Sequence, residues 1–319
     1  MKNTIGYFVL SFDTELAWGY YDKFKTGLFS YDGSRERQAI QRLLKLLDEY
    51  QITATWAIVG QLFYKSNRDC SFDPTSDWNG RYTLINKMFH DDHPLLFAPD
   101  IVEMIANCST PQEIGCHGHT HAMFDEQLMT PERAIMEINA WKEAAKPFNI
   151  EPKTAIFPRN RIGYLNLFQQ NGFICFRGKE QYPAKLYYLP IIGRVFRRFH
   201  YYLSAILIPS RYSIETDASG LINIRSSQWL FGFNRSLDMW LERLYFPSHR
   251  LQTLVKGVKS AAVEGKILHL WAHPCEFKNE NDFEKLRFLL DNVKKQIEKG
   301  NLRSIGMSAL TEYFLIETI

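Results

Sequence analysis

Two histidines four residues apart, His117 and His121, could bind one metal ion, because imidazole is a common ligand for zinc and similar ions. The apolar residues 114–116 before them read as the end of a short buried strand. At the carboxyl end of such a strand, the two rings would lie where α/β enzymes usually keep their catalytic groups. His119 leaves two other pairings open, one with His117 and one with His121.

A pair of carboxylates, Asp13 and Glu15, follows the first predicted strand at residues 5–12. Residues two apart in an extended chain point to the same side, so both carboxylates would face the mouth of the sheet. One carboxylate beside two imidazoles completes a three-ligand metal site that leaves coordination positions for water and substrate. The other is then positioned to take a proton from water. These residues alone leave open which of the two binds the metal.

Two further loops carry candidate groups just past predicted strands. His273 follows the strand 267–271 and precedes a proline, which makes it a candidate general acid, whereas His269 inside that strand reads as a structural histidine. Arg159 and Arg161 follow another strand, at residues 154–157. Either arginine could orient the base carboxylate or bind a substrate oxygen.

The elements that must position these groups alternate along the chain. Predicted strands lie at 5–12, 53–59, 113–116, 154–157, 173–176, 222–225, 267–271 and 302–307, and helices begin near 34, 101, 131, 164, 248, 282 and 308. About eight strand-then-helix units predict an α/β fold with a parallel sheet, most economically a closed or nearly closed barrel. We predict one domain over residues 1–319, with insertions at about 61–100 and 178–220.

Composition limits the partners and the location. The net charge of +3, with 23% charged residues, favours neither nucleic acid nor membrane, and we expect no nucleic-acid partner. The five cysteines contain no CxxC pair and read as reduced thiols. The first residues lack the apolar core of a signal peptide, and no apolar run is long enough to cross a membrane. We therefore expect a cytoplasmic protein, and the sequence leaves its oligomeric state open.

The segment 186–212 differs from its surroundings because it mixes aromatic and aliphatic residues with several arginines. If it is helical, it could lie on the inner face of the membrane with its arginines among the lipid headgroups. An ordinary barrel helix with a basic outer face is the alternative. Peripheral membrane contact through residues 186–212 is therefore a hypothesis that liposome binding would test.

The order of these motifs resembles the polysaccharide deacetylases of carbohydrate esterase family 4, the NodB-homology family. The first motif of that family usually reads Thr-Phe-Asp-Asp, and residues 11–15 here read Ser-Phe-Asp-Thr-Glu. The His-Ser/Thr-x-x-His motif matches His117 and His121, with Gly118 in the Ser/Thr position. The Leu-x-x-His motif matches residues 270–273.

This resemblance implies a distorted (β/α)7–8 barrel that removes an acetyl group from an N-acetylated sugar of a surface polysaccharide, or from its lipid- or nucleotide-linked precursor. It also implies one divalent metal ion, usually zinc. Asp13 would be the catalytic base and His273 the acid, while Glu15, His117 and His121 would be the metal ligands. The residues expected to bind substrate lie near the same loops: Trp18, Asn160, Tyr164 and Trp271.

The chain departs from the family pattern at two motifs. The Arg-Pro-Pro-Tyr stretch appears only as residues 157–161, Phe-Pro-Arg-Asn-Arg, so either Arg159 or Arg161 could be the catalytic arginine. The Asp-x-x-Asp-Trp motif, whose Asp tunes the acid, is absent, and Asp217 and Asp238 are weak substitutes. Two alternatives follow: an allantoinase-like or imidase-like amide hydrolase acting on a non-sugar substrate, or a catalytically impaired sugar-binding protein.

Overall fold

The computed structural model describes residues 5–20, 28–70, 92–180, 208–231 and 248–317. In these ranges ten strands form one sheet: β1 (Gly6–Thr14), β2 (Thr55–Ile58), β3 (Glu113–Cys116), β4 (Thr154–Ala155), β5 (Cys175–Phe176), β6 (Glu215–Thr216), β7 (Ile222–Asn223), β8 (Gln228–Trp229), β9 (Ile267–Ala272) and β10 (Leu302–Ser304). Seven α-helices accompany them: α1 (Ser34–Tyr50), α2 (Pro99–Ala106), α3 (Pro131–Ala145), α4 (Leu165–Gln170), α5 (His249–Glu264), α6 (Glu280–Glu298) and α7 (Met307–Glu317).

The strands follow the order β6-β7-β5-β4-β3-β2-β1-β9-β8, and β10 also pairs with the start of β1. Each pairing is parallel except the one between β6 and β7. Strand β1 is the longest, and Phe8, Val9 and Leu10 in it are fully buried. Burial on both faces is expected for a parallel strand that is covered on each side.

The barrel closes through one segment, residues 222–229. The start of the segment pairs with β5, and its end pairs with β9. Between these ends, the Ser226 backbone N–H donates to the Gly178 carbonyl at 2.9 Å, and the Ser227 N–H donates to the His269 carbonyl at 2.7 Å. Seven strand positions therefore form a ring, consisting of β1 to β5, this segment and β9, while β6 and β10 lie outside it.

Local sequence explains where the helices begin and which face they bury. Helix α1 buries Ile40, Leu43 and Leu47 at helical spacing, and each such side chain contributes roughly 1.5–3 kcal/mol when removed from water. It begins at Ser34 as predicted, although its N-cap is Gly33. Helix α3 begins at Pro131 after Thr130, whose hydroxyl accepts the Arg133 N–H.

The predicted α/β barrel is confirmed. Each predicted strand has a counterpart, although several are shorter than expected. The five cysteines are all free thiols. Among the described residues, no helix combines the length and apolar character needed to span a membrane.

Parts of two predicted features lie outside the described residues. The insertion at about 61–100 is described except for residues 71–91, and the one at 178–220 is described except for 181–207. Most of the segment 186–212 falls in the second gap, so membrane contact through it stays a prediction. The expectation of one domain over residues 1–319 likewise stays a prediction.

Candidate functional site

Strand β1 brings Asp13 and Glu15 to the carboxyl end of the barrel, and both carboxylates are buried. The chain then makes a short 3-10 helix, Leu16–Gly19, beneath the Glu15 side chain. A Cβ atom at Gly19 would overlap the Glu15 carboxylate, so only glycine leaves room for it. The turn that follows β1 therefore provides the space in which the Glu15 carboxylate lies.

The loop after β3 places His117 and His121 around Glu15. Oxygen Oε2 of Glu15 lies 3.2 Å from Nε2 of His117 and 2.7 Å from Nε2 of His121. Nδ1 of His117 lies 2.7 Å from the Ile156 carbonyl, to which it can only donate a proton, so Nε2 is left as the ligand atom. Gly118 has a φ of 70°, in the left-handed region that favours glycine, which fits its replacement of Ser or Thr in the family motif.

His119 lies away from this cluster. Its Nε2 atom lies 3.2 Å from Nε2 of Gln61 and 3.6 Å from the sulfur of Cys70. Burial lowers the pKa of His119 to about 3, so the ring is neutral at ordinary pH. The structure thus brings together His117 and His121, and it leaves out the two pairings through His119.

A buried carboxylate on helix α3 fixes the histidine loop. Oε2 of Glu137 accepts the backbone N–H groups of His119 at 2.8 Å and Thr120 at 2.9 Å. Its other oxygen accepts the Thr120 hydroxyl at 2.6 Å and pairs with Arg133 at 3.1 Å. Because Glu137 is completely buried, these bonds hold the backbone between the two histidines in one geometry.

Glu15, His117 and His121 fit a divalent metal ion. Their ligand atoms lie within 4.8 Å of one another, and all three side chains are buried. Burial raises the pKa of Glu15, but the neighbouring His121 and His273 outweigh this effect and hold the pKa well below its usual value. A set of two imidazoles and one ionised carboxylate suits zinc or a similar ion.

Asp13 is held by Arg177, an arginine that the sequence motifs did not identify. The guanidinium of Arg177 makes two hydrogen bonds to the carboxylate, at 2.6 and 2.7 Å, and both side chains are buried. Burial raises the pKa of Asp13, but the Arg177 charge outweighs this and the pKa lies below its ordinary value. The structure therefore separates the two carboxylates: Glu15 faces the histidines, and Asp13 faces an arginine.

His273 lies across the same cavity and contacts two carboxylates. Its Nε2 lies 3.4 Å from Oε1 of Glu15, and its Nδ1 lies 3.3 Å from Oε2 of Glu276. The Glu276 oxygen also accepts the backbone N–H of His273 at 2.8 Å and the indole N–H of Trp229 at 2.9 Å. Burial lowers the pKa of His273, but Glu15 and Glu276 outweigh it and raise the pKa to about 10.

Asp13, Glu15 and His273 line one cavity of about 540 Å³. Its wall includes Trp229 and Trp271, whose rings stack at 5.7 Å with an angle of 18° between their planes. The Arg177 guanidinium, which binds Asp13, lies 4.7 Å from the Trp271 ring centre. An aromatic wall beside ionised groups suits a ligand with an apolar ring face and polar substituents.

The structure brings some predicted substrate-binding residues to this cavity but not others. Asn160 and Trp271 line it. Trp18 is buried, and its indole N–H donates to the Leu96 carbonyl at 2.8 Å. Tyr164 lines a different cavity, and its hydroxyl donates to the Met129 carbonyl.

The two predicted arginines also separate. Arg159 lines the main cavity, whereas Arg161 pairs with Asp125 at 3.3 Å and is largely exposed. Neither holds Asp13, which Arg177 does. Asp217, one weak substitute for the missing acidic motif, lies in an exposed turn with Ser219, and Asp238 falls outside the described residues.

Sequence reasoning therefore missed three residues of the site. Arg177 directly follows β5, so its position after a strand was the available signal. Glu276 lies three residues after His273 in a capping-box arrangement, and its carboxylate contacts that histidine. Trp229 ends β8 and shows no local motif.

The fold and this cluster together define an α/β-barrel protein with a candidate metal centre at the carboxyl ends of its strands. Among solved structures, the chain is similar over 100% of its length to a proposed polysaccharide deacetylase from Mycobacterium smegmatis, with 14% identity, a TM-score of 0.62 and 93% of that chain covered. It is also similar to a 4-alpha-glucanotransferase from Thermococcus litoralis, with 10% identity and a TM-score of 0.53, over 96% of this chain and 40% of that one. At these identities the likeness shows the fold alone.

A family model described as polysaccharide deacetylase matches residues 22–162, which include His117, His121 and Asn160. Over these residues the chain is similar to the polysaccharide deacetylase family, and the resemblance predicted from its motifs is confirmed. No curated protein gives a significant match to the sequence. Asp13 and His273 lie outside the matched residues, and the barrel brings them to the same cavity.

Proposed function

We propose that this protein is a metal-dependent hydrolase that removes the acetyl group from an N-acetylated sugar. The observation that carries the proposal is that Glu15, which contacts the buried His117 and His121, lines one cavity together with Asp13 and His273. The match to the polysaccharide deacetylase family supports an acetylated amino sugar as the substrate class. A surface polysaccharide, or its lipid- or nucleotide-linked precursor, would carry such a sugar.

The histidine cluster would hold one divalent ion, with zinc as the first candidate. The chemistry that such an ion supplies when bound is polarisation of the acetyl carbonyl and a lowered pKa for water. The chain itself contributes the orientation of the ligands. His117 is fixed by its bond to the Ile156 carbonyl, and Glu137 fixes the backbone between the two histidines.

Asp13 is the proposed general base. It is ionised at neutral pH because Arg177 lowers its pKa, and the carboxylate keeps lone pairs beyond those that accept from the guanidinium. As the water oxygen adds to the acetyl carbon, its proton passes to Asp13. Asp13→Asn removes the carboxylate but keeps the size of the side chain, so it should stop proton transfer without disturbing Glu15, His117 and His121.

His273 is the proposed general acid. The contacts to Glu15 and Glu276 keep it protonated, so it can donate its proton to the sugar nitrogen as the carbon–nitrogen bond breaks. An amide needs this step because an unprotonated amide nitrogen is a very poor leaving group. Glu276 orients the ring through Nδ1, and Nε2 then faces the cavity side on which Glu15 lies.

The test is acetate release from a panel of acetylated amino sugars, measured together with metal content. We expect wild-type protein to release acetate, and Asp13→Asn to keep the metal but lose turnover by about three orders of magnitude or more. Release from a non-sugar cyclic amide in place of the sugars would favour the allantoinase-like or imidase-like alternative. Sugar binding with no hydrolysis would favour the impaired sugar-binding protein, and full turnover in Asp13→Asn would refute the base assignment.

The location and the membrane contact remain proposals. The five free cysteines suit a reducing compartment, so we retain the cytoplasmic assignment. A lipid-linked substrate would suit membrane contact through residues 186–212. Co-sedimentation of the full chain with liposomes, compared with a chain in which Arg194, Arg197 and Arg198 are replaced by Gln, tests that contact.

A further inference from the structure

At Asn160 the backbone N–H is bonded within the loop Pro158–Asn160, so this residue can donate to the cavity only through its side chain. The backbone N–H of Asn160 donates to the Phe157 carbonyl at 2.9 Å, and that of Arg161 donates to the Pro158 carbonyl at 3.0 Å. These N–H groups are satisfied within the loop and cannot also stabilise negative charge on a substrate. A backbone oxyanion donor at Asn160 is therefore excluded by the local fold.

The Asn160 side chain has a defined orientation. Its Oδ1 atom lies 3.3 Å from a terminal nitrogen of Arg177, and a guanidinium can only donate, so the acceptor end of the amide faces the arginine. The donor end, Nδ2, then points away from Arg177. Among the described residues, no hydrogen-bond acceptor contacts Nδ2, and Asn160 lines the cavity that also holds Asp13, Glu15 and His273.

The backbone at Arg159 and Asn160 has an unusual conformation, which fixes the direction of the Asn160 side-chain amide. Arg159 and Asn160 both have a φ of 53°, in the left-handed region, where asparagine is among the better-tolerated residues. Such conformations persist where surrounding structure enforces them, and they concentrate at functional sites. Here the enforcing contacts are the turn of the loop and the bond from Arg177, which also holds the candidate base.

We propose that the Asn160 side-chain amide donates Nδ2–H to the acetyl oxygen of the substrate as negative charge develops on it. This inference rests on the proposed function, because it needs an acyl group in the cavity. It assigns one network to two tasks: Arg177 fixes the base Asp13 and, through Oδ1, aims the Asn160 donor. The hydrogen bond from an oriented neutral donor in a partly buried site becomes stronger as negative charge forms on the acceptor. It therefore lowers the free energy of the transition state more than that of the bound substrate.

The test compares Asn160→Gly and Asn160→Asp with wild type. Glycine tolerates a φ of 53° and removes the amide without adding backbone strain. Aspartate keeps an acceptor towards Arg177 but replaces the donor with an acceptor. The matched control is Asn149→Gly, at an exposed residue with a φ of 56° that does not line the cavity.

We expect kcat to fall by about 10²- to 10³-fold in Asn160→Gly and at least as far in Asn160→Asp, with KM and metal content close to wild type. The same factor should appear with 4-nitrophenyl acetate, because that ester shares only the acetyl group with the sugar. The control variant should retain wild-type kinetics.

Four results would overturn the inference. A loss seen only with the sugar would assign Asn160 to a sugar hydroxyl, and a loss that follows metal content would assign it a structural role. Wild-type turnover with unchanged kcat in both variants would refute the donor while leaving the proposed function intact. A wild-type protein with no activity on any acetyl compound would refute both together.

Discussion

Two sides of the barrel mouth are built differently. The histidine side consists of Glu15, His117 and His121, held by short loops after β1 and β3 and by Glu137. The arginine side consists of Asp13, Arg177, His273 and Glu276, brought from β1, β5 and β9. The residues of the histidine side are close in sequence or follow a recognisable motif. On the arginine side, Asp13 and Arg177 meet only because the barrel closes, whereas Glu276 lies three residues after His273.

The electrostatics of the two sides also differ. On the histidine side, one carboxylate faces two imidazoles, a set that a divalent ion would complete. On the arginine side, the buried pair of Asp13 with Arg177 and the partly buried pair of His273 with Glu276 are complete within the protein. Loss of one partner should therefore remove a ligand on the first side and leave an uncompensated buried charge on the second.

The largest expected effect is on activity, from a break in the histidine side. His121→Ala should remove one of three candidate ligands, so bound metal should be lost and acetate release should fall by about three orders of magnitude or more. Metal analysis of the purified protein together with the acetate assay measures both changes. His119→Gln is the control, because His119 contacts Gln61 and Cys70 instead. Metal loss in the control variant would reverse the ligand assignment.

The second prediction breaks the arginine side. Arg177→Gln leaves the buried Asp13 without its cation and should lower the free energy of unfolding by about 3–5 kcal/mol. Urea denaturation followed by circular dichroism measures this loss. Arg161→Gln removes an exposed pair with Asp125 and should change stability by less than about 1 kcal/mol. Equal effects of the two substitutions would contradict the difference in burial.

A third prediction sharpens the comparison by acting behind the histidine side. Glu137→Gln weakens the bonds that fix the backbone at His119 and Thr120, so the metal Kd should rise by about 10- to 100-fold. Competition with a chromogenic chelator measures the Kd. The control is Glu143→Gln on the same helix, whose carboxylate is exposed and pairs only with Lys146 in the described structure. An unchanged Kd in Glu137→Gln would show that the loop holds its shape unaided.

The smallest effect concerns pH and stability beneath the arginine side. Burial lowers the pKa of His269 to about 3, while an unfolded chain binds its proton below about 6.5. Between these pH values the unfolded state binds more protons, so this residue makes stability fall with falling pH, by up to about 1.4 kcal/mol per pH unit. His269→Asn should reduce the slope of unfolding free energy between pH 5 and 6 by about that amount. Parallel slopes for the two proteins would exclude a neutral buried ring.

The sequence predicted those site residues that lie close to one another along the chain. Asp13 and Glu15 are two residues apart, and His117 and His121 are four apart, so local geometry alone suggested that each pair faces one way. The αβ alternation then implied that both pairs reach the same end of the sheet. The expected barrel followed from the same alternation.

Residues without a local pattern were harder to place. Arg159 and Arg161 were the predicted arginines because they occupy the motif position, yet Arg177, sixteen residues beyond Arg161, contacts Asp13. Trp18 was expected at the substrate, but the turn after Glu15 carries its ring into the core. Which side chain of a loop reaches the cavity depends on the φ values of the loop, and these depend on contacts with other strands.

The sequence by itself determined the α/β barrel and the candidate ligands, because hydrophobic periodicity and short-range spacing are properties of neighbouring residues. Only the tertiary structure decided which carboxylate faces the histidines and which arginine holds the other. Those contacts join residues separated by up to 164 positions, as in the Arg177–Asp13 pair. Their partners are selected by barrel closure and by the cost of leaving a buried charge unpaired.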